Sequence, residues 1–496
     1  MLQIPFNNRY ASLGDGFYVK TRPSPVANPE LIKFNHELAS SLGLSTDNLN
    51  AADAALIFSG NVVPAGAEPL AMAYAGHQFG GFNPQLGDGR ALLLGEITSP
   101  DGTDFDVQLK GSGRTFYSRN GDGRAALGPV LREYLVSEAM IKLGVPSTRA
   151  LAVVTTGEDV ARERLLPGGI IARVASSFVR VGTFEFFSAQ GNTAAIQKLA
   201  DYVIERNYPQ AAEAENPYLY FLKSAVERQA SLIAQWMQLG FIHGVMNTDN
   251  MSVAGETIDY GPCAFMDTYD HQQVFSYIDR GGRYAYGNQP SIGLWNLTRL
   301  AESLLPLLAD DTDTAVALAQ DVLKTYVAHY ENNWLTGMRA KCGFTAGPDE
   351  AQHDDQALIE TLLETMAENH ADFTLTFYCL SRLTQQASDQ DSEIRCLFDQ
   401  PAQFDDWLVK WRKRLSRETH SDAERQASMQ AVNPVYIPRN HQVEAAIRAA
   451  EDHNDFSVFH ALHEVLQNPY LPQQGKHNYM QAPEPDEVVK QTFCGT

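Results

Sequence analysis

The stretch that most constrains how this chain can fold runs from Leu239 to Pro262, L-G-F-I-H-G-V-M-N-T-D-N-M-S-V-A-G-E-T-I-D-Y-G-P. Before it, Tyr218 to Leu239 places Phe221, Ala225, Leu232, Ile233, Trp236 and Met237 on one apolar side, which predicts a long helix ending at a glycine. His243-Gly244 then opens a tight loop, and Asp249-Asn250 follows. Met251–Val253 and Thr257–Ile258 read as short strands about a turn at Gly255, and Asp259-Tyr260-Gly261 closes the stretch. An Asp-Asn pair ten residues before an Asp-X-Gly, with a hairpin between, can hold a divalent metal from two loop ends. Carboxylate and amide oxygens are the hard ligands Mg²⁺ takes when it also binds phosphate.

Charge narrows the partners. A net charge of −22 argues against general binding to nucleic acid or anionic membranes. No run of about 18 apolar residues predicts a membrane span. The N-terminus, M-L-Q-I-P-F-N-N-R-Y, has no basic segment leading into an apolar one, so a cytoplasmic location is expected. Cys263, Cys342, Cys379, Cys396 and Cys494 are scattered without a C-x-x-C pair, the pattern of reduced thiols and not of a zinc site. The charge is uneven. Residues 110–182 hold eleven Lys/Arg against six Asp/Glu, and residues 301–400 hold five against eighteen. A cationic island in an acidic chain predicts a site for an anion.

Along the chain, an irregular lead-in precedes a helix expected over Pro29 to Leu42, with Leu31, Phe34, Leu38 and Leu42 at helical spacing. Gly76 to Arg90 holds five glycines, and backbone N–H groups approach phosphates closely where no Cβ intervenes. Strands are expected over Ala91–Ile97 and Phe105–Leu109, with Lys110 ending the second. A second Gly-rich loop carries Arg114, Arg119, Asp122, Gly123 and Arg124. The helix expected over Val130–Leu143 has Glu133 in its first turn, where it can pair with Lys110, complement the helix dipole, or do both. Strands Ala150–Thr155 and Gly169–Ala175 follow, and Arg173 among apolar neighbours points at a partner or a cleft. Gly182–Phe187, just after Arg180, reads as a hinge. Helices are expected over Gln197–Arg206, Leu294–Ala309 and Ala315–Tyr330, around a Tyr-rich loop from Asp267 to Pro290. Residues 331–466 read as helical and acidic, with an extended link at 433–441.

The Gly-rich loop, the strand-borne Lys110, the helical Glu133 and the Asn250/Asp259 layout resemble the order of parts in protein kinases. One part departs. The kinase pattern H-R-D-x-x-x-x-N places its base Asp five residues before the Asn, and that position here is Val245. The runs G-H-Q-F-G-G-F-N-P-Q-L-G-D-G-R-A, L-K-G-S-G-R-T-F-Y-S-R-N-G-D-G-R and H-G-V-M-N-T-D-N resemble the selenoprotein O family, over nearly the whole chain. That resemblance implies an α+β, bilobal, protein-kinase-like fold: an N-terminal extension (1–60), a β-rich N-lobe (61–182), a helical C-lobe (183–330) and additional C-terminal helices (331–496). It implies transfer of AMP from ATP to Ser, Thr or Tyr hydroxyls of proteins, with the nucleotide reversed relative to kinases and UTP as an alternative donor. The implied nucleotide contacts are Gly87, Gly89, Arg90, Lys110, Asp122, Gly123, Arg173, Arg180 and Asp259. The implied base is Asp249, the ligands of Mg²⁺ or Mn²⁺ are Asn250 and Asp259, and Glu133 supports Lys110. The C-terminus reads F-C-G-T, with cysteine and no selenocysteine, which marks a bacterial-type member. Family members can pair a C-terminal cysteine with one near the metal loop, implying a redox disulfide between Cys263 and Cys494.

The residues agree with that chemistry. Attack at the α-phosphorus releases pyrophosphate, whose charge Arg90, Lys110, Arg173 and Arg180 can hold. Two other readings stay open. The missing Asp at 245 suits a scaffold without chemistry, and the His-Gly loop, similar to that of aminoglycoside kinases, suits transfer of the γ-phosphoryl group.

Overall fold

Alternation along the central strands explains where the polar side chains of this chain end up. The computed structural model describes residues 3–47, 49–345 and 349–493. Among these the strands are β1 (Tyr18–Lys20), β2 (Glu30–Phe34), β3 (Leu70–Met72), β4 (Gly76–Gln78), β5 (Gly81–Asn83), β6 (Ala91–Thr98), β7 (Asp104–Lys110), β8 (Ala125–Ala126), β9 (Arg149–Ala161), β10 (Leu165–Ala175), β11 (Phe241–Ile242) and β12 (Ala264–Phe265). Eight form one sheet in the order β1-β3-β6-β7-β10-β9-β2, with β8 beside β10. Helices α1 (His36–Ser41) and α2 (Ala51–Phe58) cover one face, where Leu38, Ile57 and Phe58 pack on Leu109, Ile170, Ala172 and Val174. Helix α3 (Leu127–Lys142) covers the other, where Val130 and Leu131 meet Val153 and Ile171. Successive strand residues face opposite ways. The register sets Ile171 against Lys110 and Arg173 against Gln108, so all three polar side chains lie on the α3 side.

The rest is helical. Helices α4 (Val181–Ser188), α5 (Thr193–Asn207), α6 (Pro217–Leu239), α7 (Gln289–Leu308) and α8 (Thr312–Lys341) enclose the largest core. The side chain of Asn216 caps α6, Pro217 sits in its first turn, and Gly240 ends it at φ 70°, a left-handed conformation open to glycine. Helices α9 (Asp349–Glu368), α10 (Phe373–Leu380), α11 (Asp391–Arg395), α12 (Pro401–Leu415), α13 (Asp422–Gln430), α14 (Asn440–His453) and α15 (Ser457–Leu466) follow. The last two return to the sheet. Ile447, Phe459 and Leu462 join Leu131, Tyr134 and Leu135 of α3 in one core. The N-terminus of α3 has no cap from its own N-cap residue; instead Glu451 of α14 accepts the N–H of Gly128 at 2.9 Å. Arg439, in the link before α14, pairs with Asp267 at 2.5 Å and Asp372 at 2.8 Å, tying the start of the Tyr-rich loop to α10. No helix among the described residues is long and apolar enough to cross a membrane.

Four expectations need correction. Pro29–Leu42 is not one helix: Glu30–Phe34 pairs with β9 and only His36–Ser41 is helical. Leu31 and Phe34 carry helical spacing; pairing with β9, with a bulge between Leu31 and Lys33, brings both to one core. Met251–Val253 and Thr257–Ile258 do not form a hairpin. Val253 donates to the carbonyl of Val179 at 3.1 Å, and Thr257 to that of Pro146 at 3.0 Å, so each half is satisfied by a different earlier segment. Gly182–Phe187 is no hinge but lies within α4. Glu133 is in the second turn of α3, which begins earlier than expected, and so it does not complement the helix N-terminus.

Candidate active site

The row on the inner face of the sheet meets its counter-charge from α3. Glu133 accepts from Lys110 Nζ at 2.6 Å through one oxygen and from Arg173 Nη1 at 3.0 Å through the other. Gln108 holds Arg173 further, taking its Nε at 3.1 Å. The stretch after α6 then brings in Asp259. Its Oδ1 lies 2.7 Å from Arg173 and 3.5 Å from Lys110, and its Oδ2 accepts from Arg180 at 3.0 Å. Burial alone would raise the carboxyl, but Arg180, Arg173 and Lys110 outweigh it and hold Asp259 well below the usual carboxylate range. Burial lowers Lys110, and Glu133 opposes that shift. Burial would raise Glu133, and Lys110 and Arg173 keep it ionised.

His243 aligns the two loop ends. Its Nε2 donates to the carbonyl of Ile258 at 2.8 Å, its ring stacks on Trp236, and burial lowers its pKa and keeps it neutral. This bond fixes the residue before Asp259 against the His-Gly turn. Arg180 does a second job at the mouth of α4: its Nη1 donates to the carbonyl of Asp249 at 2.8 Å, and its guanidinium lies 4.6 Å from the Tyr74 ring.

Asp249 is buried and only half satisfied. Gln78 donates to its Oδ2 at 3.0 Å, while Oδ1 has no hydrogen-bond partner among the described residues. Burial, against the pull of Arg180, pushes its carboxyl up to about 6. The preceding Thr248 anchors it. Thr248 donates to Glu185 of α4 and accepts the backbone N–H of His77 at 2.7 Å, and His77 in turn reaches Glu185 at 2.5 Å. Asn250 gives its Nδ2 to the carbonyl of Val245 at 2.9 Å, so its Oδ1 is the atom that could ligate a metal.

One cavity of about 720 Å³ gathers these groups. It is lined by Gly87, Gly89, Arg90, Lys110, Asp122, Gly123, Arg173, Arg180, Asp249, Asn250 and Asp259; Glu133 stands behind Lys110. Asp122 pairs with Arg162 at 2.8 Å on the cavity rim. A family model described as Protein adenylyltransferase SelO matches residues 1–467. The chain belongs to the SelO protein adenylyltransferase family. It is 57% identical over 498 residues to the "Protein nucleotidyltransferase YdiU" of Rhodopseudomonas palustris (strain BisB5), and 56% identical over 496 residues to that of Rhizobium meliloti (strain 1021). Each match covers 100% of both chains. As a member of the SelO family the chain is a protein nucleotidyltransferase, which implies ATP as substrate.

The donor set fits a divalent cation shared with phosphate. Among the described residues no group of three His, Cys, Asp or Glu could cage a metal. Mg²⁺ with substrate phosphates needs only one or two protein ligands, and the amide of Asn250 and the ionised carboxylate of Asp259 both line the cavity. Cys263 is buried, and burial pushes its thiol up to about 12; Cys494 lies outside the described residues, and so does its expected pairing.

Several residues of the site escape sequence reasoning. Gln78, Asp88, Asn247 and Arg162 line the cavity, and Gln108 braces Arg173. Gln108 was findable, because it alternates with Lys110 on a strand. Gln78 sits inside a glycine-rich run whose β4–β5 turn brings it to Asp249, and nothing local announces that contact.

Proposed function

We propose that this chain transfers AMP from ATP to Ser, Thr or Tyr hydroxyls of proteins and releases pyrophosphate, with UTP as a second donor. The observation that carries the reading is the division of charge in one cavity: three buried cations converge on Asp259, while Asp249 beside them keeps an oxygen without a partner. Lys110, Arg173, Arg180 and Arg90 would hold the phosphates and the charge that builds on the leaving pyrophosphate. Gly87, Gly89, Asp122 and Gly123 would border the nucleotide. Glu133 would keep Lys110 extended across the sheet. Asn250 and Asp259 would hold Mg²⁺ or Mn²⁺, which when bound offsets phosphate charge. Asp249, with its carboxyl at about 6, is ionised at neutral pH and would take the proton of the attacking hydroxyl. Such a base contributes about 10²–10⁴-fold. On this reading Val245 is no defect, because the proton acceptor stands four residues later.

The arrangement also supports a bilobal, kinase-like architecture, with residues 61–182 as the sheet lobe, 183–330 as the helical lobe, and 1–60 and 331–496 packed around them. A bacterial cytoplasmic location goes with it. The test uses ATP labelled at the α or the γ position with Mg²⁺ or Mn²⁺ and a protein acceptor. Label retained from α alone supports AMP transfer. Label from γ alone would make the chain a kinase, and label from neither would make it a scaffold.

A further inference from the structure

The mouth of the cavity carries apolar and cationic groups that nucleotide binding does not use. Phe79 and Phe82, on the β4–β5 hairpin, are 38% and 43% exposed, and Ile278, on the Tyr-rich loop, is 47% exposed. Phe79 and Ile278 border the cavity. Phe79 is also held at φ 53°, a left-handed conformation that costs a bulky side chain about 1–3 kcal/mol. Its N–H donates to Asn247 and to the Tyr284 hydroxyl, both at 3.1 Å, so the surroundings enforce that conformation and keep the ring at the rim.

Beside the ring lies Arg283. Its guanidinium carbon is 4.9 Å from the Trp295 ring and 5.8 Å from that of Tyr284. Its guanidinium forms no ion pair among the described residues, the nearby Asp279 carboxylate taking only its backbone N–H at 2.9 Å, and its Nε is buried without a hydrogen-bond partner. Its neighbour on the same tryptophan, Arg299, is neutralised by Glu302 at 2.7 Å. Arg283 is not among the cavity-lining residues, so it is not aimed at the phosphates. A guanidinium fixed on aromatic rings and in no ion pair is matched to a carboxylate from another molecule.

The link to the chemistry is short. Gln78 holds Asp249, the next residue is Phe79, and the Phe79 ring lies 5.1 Å from that of Tyr284, which adjoins Arg283. We propose that this rim binds the acceptor segment of the protein substrate in extended form. Its hydroxyl residue reaches Asp249, an apolar side chain packs on Phe79 and Phe82, and an Asp or Glu within about three residues of the hydroxyl pairs with Arg283. This rests on the AMP-transfer reading above and adds to it a chemical class of acceptor sequence.

The test is an array of peptides, each with one Ser, Thr or Tyr in varied flanks, labelled from α-labelled ATP with Mg²⁺ or Mn²⁺ by the full chain. The wild type should favour peptides with an acidic and an apolar residue near the acceptor. Arg283→Glu should lose about tenfold on acidic peptides and gain on those with Lys in the same place. Phe82→Ser should raise KM for apolar-flanked peptides by about five- to tenfold. Both variants should keep the wild-type KM for ATP. Labelling without flank preference, or an acidic preference that survives Arg283→Glu, would overturn the docking proposal and leave AMP transfer standing. So would a wild-type dimer, seen by sedimentation, that Phe82→Ser dissolves, because a second copy would then cover the face. Failure of the wild type to label any peptide or protein from the α position would remove the reading and the proposal together.

Discussion

A single methyl group should test the role of Asp249. A Cβ added at Gly76 would stand 2.7 Å from Asp249 Oδ1, 3.0 Å from its Cβ and 2.9 Å from Leu86 Cδ1. The leucine methyl can swing away. The carboxylate is held through Gln78, and its backbone carbonyl by Arg180, so relief must come from moving the carboxylate itself. Ordinary contact begins near 3.4 Å, which requires a shift of about 0.7 Å. Displacing a catalytic group by about 1 Å costs about 10²-fold, so Gly76→Ala should lower kcat by about 10- to 100-fold, or about 1.4–2.7 kcal/mol. The cations proposed to hold ATP are not touched, so KM for ATP should hold. Gly76 has no positive φ, and alanine there restricts the unfolded chain, which offsets part of the packing strain. The assay is initial-rate AMP transfer from α-labelled ATP, with Tm measured in parallel. Gly81→Ala is the control: on the same hairpin, its added Cβ has nothing nearer than 3.5 Å, and its rate should match wild type. A wild-type kcat in Gly76→Ala would refute the placing of the base at Asp249.

Three more outcomes are expected. Asp259→Asn keeps the shape but removes the only charge facing Lys110, Arg173 and Arg180 together; AMP transfer should fall at least about 10²-fold and stability by about 3–5 kcal/mol, read by labelling and by denaturant unfolding. If Asp249 is the base as proposed, it acts ionised, and because burial raises its carboxyl to about 6, kcat/KM should be flat above pH 7 and fall by one proton as pH drops through about 6. Gln78→Leu, which removes a hydrogen bond favouring the ionised form, should move that limb upward. Burial lowers Lys341 to about 7, beside the Phe377 ring at 4.5 Å. The unfolded chain, with lysine near 10.4, therefore binds more protons between these values, and stability should rise with pH from about 7 to 10. Lys341→Met should abolish that slope and raise stability near pH 7 by about 2 kcal/mol, seen in denaturant titrations at several pH values.

What could be read in advance was whatever is decided locally. The apolar stripe of α6 and its stop at Gly240 are written in a 3.6-residue period and a glycine, and they place the His-Gly turn. Lys110 and Arg173 stood out as charges in apolar strands, and alternation then put both on the α3 side. What failed was decided by distant partners. Leu31 and Phe34 carry helical spacing, and only pairing with the edge of β9, through a bulge, makes them a strand. The backbone of Met251–Ile258 looked self-sufficient, yet its hydrogen bonds go to residues near Pro146 and Val179. The same limit hid Gln78, whose partner Asp249 is 171 residues away.

The cap on α3 bears on how the enzyme is born. Glu451 and Gly128 are separated by 323 residues, so the helix carrying Glu133 leaves the ribosome long before its cap exists. At about 5–20 residues per second that interval is about 16–65 seconds. Until α14 and α15 arrive, α3 rests on the sheet through Val130 and Leu131 but lacks its cover by Ile447, Phe459 and Leu462, and Glu133 has a looser mount. A nascent chain therefore already owns the cations, the glycine-rich hairpin and Asp249 but cannot yet hold them in register. Competence for catalysis waits for α14 and α15, and a messenger cut short before α14 would specify a protein that contains every reacting group and performs no reaction.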